Sequence, residues 1–67
     1  MDAKEKLKVL RVKAELSQEE LAKKSGLTSR SIGFYEADVN NLRKAKYETI
    51  AVIADVLGVS VNDIFLG

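Results

Sequence analysis

The apolar residues of this chain recur at intervals of three and four, never in a sustained alternation of two, so the pattern predicts helices and no strands. Leu7, Leu10 and Ala14 share one side of a first helix, with Val9 and Val12 widening that face and Asp2 with Glu5 as a cap pair. Leu16 stands just ahead of a second helix. There Ser17 can accept a backbone N–H three residues on while Glu20 reaches back to the Ser17 N–H. Leu21 and Ala22 face inward, and Gly26 closes the helix where a left-handed residue costs least. Thr28 caps a third helix whose buried face is Ile32 and Tyr35.

Residues 37–46 are polar and show no legible period, so the next helix can start near Leu42 or only near Tyr47. From Tyr47 the spacing is regular: Tyr47, Ile50, Ile53, Ala54 and Leu57 line one face, and Gly58 ends it. Ser60 and Asp63 form another cap pair, opening a short last helix with Val61, Ile64 and Phe65. Proline is absent, and neither linker nor repeat interrupts the pattern. The expectation is one compact all-α domain of five short helices over residues 1–67.

Residues 17–36 are the most informative stretch. Two helices that cross steeply need a small side chain at the crossing, a residue free to take positive φ between them, and an apolar anchor on the second helix. Ala22, Gly26 and Ile32 meet those needs in turn, with a cap residue at each helix start.

Composition removes several alternatives. A 67-residue chain buries only ~60% of its unfolded surface, too little to divide into two cores. There is no cysteine and no histidine, hence no disulfide framework and no thiolate or imidazole metal site. No glycine-rich phosphate loop is present, and Glu19 and Glu20 are neighbours on a helix and point apart, so catalysis is not expected. No signal segment and no apolar run of ~20 residues is found, so a cytoplasmic location is expected. Net charge is +1, but it is unevenly spread. Up to Lys46 eleven basic residues face seven acidic ones, a balance of +4; from Tyr47 onward three acidic residues stand alone. One face turned toward phosphate accounts for that asymmetry, and so does a solvated surface with an acidic last third.

Two segments together, L-S-Q-E-E-L-A-K-K-S-G-L and I-A-D-V-L-G-V-S-V-N-D-I-F, resemble the phage-repressor (Cro/CI or XRE type) helix-turn-helix family over nearly the whole chain. The resemblance implies a lambda-repressor-like fold and a sequence-specific double-stranded DNA-binding regulator, a small repressor without cofactor. It places the helix-turn-helix at about residues 17–36 and lays the second helix of that motif in the major groove. Gln18 matches a glutamine that contacts phosphate and braces that helix; read without the family it is as well explained as an exposed first-turn residue. Thr28, Ser29, Arg30 and Phe34 fall at the groove end and face. Arg30 has the fork that matches guanine O6 and N7, or else it meets phosphate. Phe34 can contact a thymine methyl or pack beneath the following loop. Gly33 lets the backbone lie close to a groove edge, or is simply tolerated in a helix held by packing.

In relatives an arginine of the first helix pairs with a glutamate ending the recognition helix, and Arg11 and Glu36 stand at those positions. After Glu36 the chain departs from the family: A-D-V-N-N-L-R-K-A-K-Y replaces a shorter Asn-Gly turn and a proline. Arg43, Lys44 and Lys46 are the phosphate candidates there by residue type, and Asn40 or Asn41 can donate to phosphate or take a left-handed turn. The resemblance also implies a homodimer on a palindromic site, with no membrane and no small-molecule effector. Its expected surface is Val61, Ile64, Phe65 and Leu66, although Val61 and Ile64 serve equally as caps of the protomer core. The competing reading is a protein-interaction adaptor or antitoxin-like module that keeps the fold without operator binding. Salt dependence separates the two.

Overall fold

The structure, a computed structural model, describes residues 6–65, with side chains over 7–64. Helix α1 (Lys6–Lys13) buries Leu7 and half-buries Leu10. The turn after it closes on Glu15, whose φ of 60° lets the Leu16 N–H turn back to the Arg11 carbonyl at 3.2 Å. Val12 lies about 200° around the helix from Leu10 and is 57% exposed, so it does not widen the packed face. Ala14 is exposed just past the helix end. The Asp2–Glu5 cap lies outside the described residues.

Helix α2 (Gln18–Ser25) begins with the complete reciprocal cap: Glu20 N–H donates to Ser17 Oγ at 3.0 Å, and Ser17 N–H donates to Glu20 Oε1 at 2.9 Å. It stops at Gly26, in the left-handed region at φ 71°, where the Leu27 N–H returns to the Ala22 carbonyl at 2.8 Å. Helix α3 (Ser29–Ala37) starts under Thr28, which accepts the Ser31 N–H at 3.1 Å.

Residues 37–46 hold a helix of their own, α4 (Val39–Arg43), which brings the described helices to six rather than five. Asp38 is extended and ends α3 while capping α4, its carboxylate accepting the Asn40 N–H at 2.9 Å. Five residues are too few to display a period; Val39 is half-buried, and the one buried residue, Leu42, is 1% exposed. Helix α5 (Tyr47–Leu57) therefore starts late. Its first residue, Tyr47, is 71% exposed because a first-turn side chain leans back past the helix end and away from the core. Helix α6 (Val61–Phe65) carries the Ser60–Asp63 cap, with both bonds made at 3.0 and 3.2 Å.

Leu7, Leu21, Ala22, Ile32, Leu42, Ile50, Ile53, Ala54 and Ile64 form one buried cluster, drawn from all six helices. Tyr35 and Leu57 pack on it half-buried. Helix α2 rests on α3 and α5, α3 on α4 and α1, and α6 on α1 and α5. Ala22, at the centre of α2, is only 2% exposed, and α2 and α3 pack on one another.

Candidate nucleic-acid interface

The outer side of α3 is held in place from its own last turn. Glu36 sits there with its side chain 5% exposed, at the helix end where a carboxylate meets the negative end of the dipole. It is compensated by three donors from two other helices. Arg11 Nε and Nη2 reach its oxygens at 2.6 and 3.3 Å, and Gln18 Nε2 reaches Oε1 at 3.0 Å. The remaining arm of Arg11 donates to the Leu16 carbonyl at 2.8 Å, at the α1–α2 turn. One carboxylate thus ties α1, the start of α2 and α3 together.

Gly33 belongs to the same arrangement. A Cβ built on it would lie 3.8 Å from both amide heteroatoms of Gln18, so the glycine faces the Gln18 side chain rather than open solvent. That seat was not legible in the sequence, because it depends on which side of α3 meets the start of α2.

Ser29, Arg30 and Phe34 are exposed on α3, with Phe34 at 57%. Phe34 does not pack beneath the α4 segment; its ring stands 6.0 Å from that of Tyr35 at 57°. Thr28 uses its hydroxyl locally, accepting from Ser31 N–H and donating to Ser31 Oγ at 3.0 Å. Beyond α3, Asn40, Arg43, Lys44 and Lys46 are exposed around α4 and the start of α5. Arg43 also lines a shallow groove with Ala45, Tyr47 and Ile50. Lys46 stands at the N-cap of α5 and supplies no side-chain cap bond.

Asn41 takes a role that the sequence reading did not foresee. Its Nδ2 donates to the Phe34 carbonyl at 2.9 Å, satisfying one of the orphan acceptors at the end of α3. Neither asparagine is left-handed: among the described residues Glu15 alone has positive φ without being glycine. The only signal in the sequence was an asparagine pair past a helix end, which does not say which member turns back.

The combination of a packed α2–α3 pair, a left-handed turn at Gly26 and an α3 braced through Glu36 agrees with a match that includes this stretch: a helix-turn-helix family model covers residues 7–64. The chain belongs to the XRE-type (Cro/CI-like) helix-turn-helix family. It is accordingly a DNA-binding regulator with a lambda-repressor-like helical fold. No curated protein and no solved structure matches it. Among the described residues no helix is long and apolar enough to cross a membrane, and no group of acidic side chains is placed to hold a metal ion.

In this XRE-type domain the C-terminal residues divide. Ile64 has no exposed surface and completes the core of the domain between α1 and α5, so it has nothing to offer a second copy. Val61 is half-buried on the same core. The Phe65 side chain and Leu66 lie outside the described residues.

Proposed function

We propose that the protein is a dimeric repressor that reads a palindromic operator, with α3 in the major groove of each half-site. The observation that carries the reading is the exposed Ser29–Arg30–Phe34 face on a helix whose last turn is clamped through Glu36 by Arg11 and Gln18. A reading head must hold its register, and three donors on one buried carboxylate supply that rigidity. Arg30 donates its fork to a guanine edge, worth ~1–3 kcal/mol of discrimination. Ser29 and the Thr28 end of α3 orient the helix. The amino end of α2 at half-buried Gln18 and that of α5 beside exposed Lys44 and Lys46 meet backbone phosphates, with Asn40 and Arg43 flanking them.

Dimerisation through the α6 end belongs to the same proposal, with Val61 as its described residue and Phe65 and Leu66 beyond it. A domain of this size makes too few contacts for tight specific binding as a single copy. Occupying an operator in this way blocks other proteins from it, which is repression without any effector.

Salt titration tests the proposal. If Arg43, Lys44 and Lys46 of two protomers each neutralise a phosphate, log K against log salt falls with a slope of about −5. A flat salt dependence, with affinity instead for a protein partner, would replace this reading with the adaptor or antitoxin-like module. Sedimentation with and without duplex, repeated with Val61→Lys, reports the dimer.

A further inference from the structure

Phe34 is the large side chain on this face that the fold leaves unused. It is 57% exposed, yet its position is fixed from both sides. Its own carbonyl is held by Asn41 at 2.9 Å, and Glu36, two residues on, is clamped by Arg11 and Gln18. An apolar ring is therefore presented to solvent from a rigid point.

Arg30 precedes it by four residues and is exposed too. Residues four apart share a helix face, separated by ~6 Å along the axis. Successive base pairs of B-DNA rise about 3.4 Å, so the two side chains address bases no more than about two steps apart. Their chemistries differ sharply. A guanidinium fork matches the paired acceptors of guanine, while the C5-methyl of a pyrimidine is the apolar group a major groove offers a ring.

We propose that α3 reads a guanine together with a 5-methylpyrimidine within about two base pairs of it, Arg30 taking the guanine and Phe34 the methyl group. The inference rests on the DNA-binding reading above and adds to it the atom that is read. Thymine and 5-methylcytosine carry the same methyl at the same ring position, so binding responds to cytosine methylation where such a cytosine replaces the thymine.

The test uses the full chain and the duplex it recovers from a random pool. Each thymine near the selected guanine is replaced singly by uracil, which keeps the pairing and deletes only the methyl. Each single replacement of the thymine that is read should weaken binding about fourfold, the equivalent of unburying one methyl-sized group. Phe34→Ala should bind the thymine and uracil duplexes alike, Phe34→Leu should keep the preference, and Arg30→Ala should keep it while losing the guanine. A uracil series without effect, a selected site with no thymine in reach, or a penalty that survives Phe34→Ala overturns the inference while leaving DNA binding intact. A chain that retains no duplex from the pool removes both.

Discussion

Replacing Glu36 by alanine should nearly unfold this domain, although Glu36 is a charged residue at a helix end. The carboxylate is 5% and the Arg11 side chain 11% exposed, so water cannot take over when one partner goes. The alanine variant leaves the Arg11 guanidinium buried with the Leu16 carbonyl as its remaining acceptor, and strands the Gln18 amide. Breaking such a pair costs ~3–5 kcal/mol. A domain of this length has ~3–10 kcal/mol in all. At ~4–8 °C per kcal/mol, the melting temperature should drop by ~12 °C or more. Urea unfolding followed by far-UV circular dichroism measures the loss as a shift of midpoint at unchanged slope. The double variant Arg11→Leu/Glu36→Leu should recover most of it, because no charge is then left buried alone. A loss below ~1 kcal/mol, the range of exposed pairs, or two single losses that simply add in the double variant, would refute the clamp.

Gly33→Ala should raise stability by ~1 kcal/mol, since a helix-interior glycine is replaced and the new Cβ meets Gln18 at an ordinary 3.8 Å; a lower urea midpoint would mean the Gln18 seat has no room. Ser25→Ala should stabilise by ~1 kcal/mol, because Ser25 Oγ is buried without a hydrogen-bond partner among the described residues; unchanged thermal unfolding would point to a partner for that hydroxyl. Glu20 titrates below its ordinary range, chiefly because its carboxylate accepts the Ser17 backbone N–H, then the Ser17 hydroxyl, with Lys24 assisting. Its folded pKa is lower than its unfolded one, so the cap's contribution is full above the unfolded value and is lost as pH falls through the folded one. The stability gap between wild type and Glu20→Gln should therefore close on acidification, and a gap constant down to acid pH would show that the charge is not what the cap uses.

What was legible in the sequence is what is local. The Ser17–Glu20 and Ser60–Asp63 caps and the left-handed glycines at 26 and 58 depend on residues within four positions of one another, and all appear in the structure. The core positions Ile50, Ile53 and Ala54 followed from period, and Leu21, Ala22 and Ile32 from the needs of two packed helices. The misreadings lie where period gives out. Helix α4 is one turn and a half long and buries only Leu42. Tyr47 matches the spacing of α5 but stands at its end, where there is no core to meet. The choice between Asn40 and Asn41, and the side that Gly33 presents, were decided by how α3 lies against α4 and α2, which no single helix encodes. Ile64 shows the same limit from the other side: an apolar residue near a chain end reads as surface or core until α1 is seen to pack on α6.

The central claim is that α3 reads duplex DNA, and one selection tests it most directly. Wild type and Arg30→Ala are each incubated with random duplex at ~150 mM salt, near physiological ionic strength, and the bound fragments are sequenced. The account predicts a two-fold symmetric site with half-site centres roughly 34–36 Å apart, and the loss of one guanine preference per half-site in Arg30→Ala. A pool with no enriched sequence, or the same motif from both proteins, would contradict it.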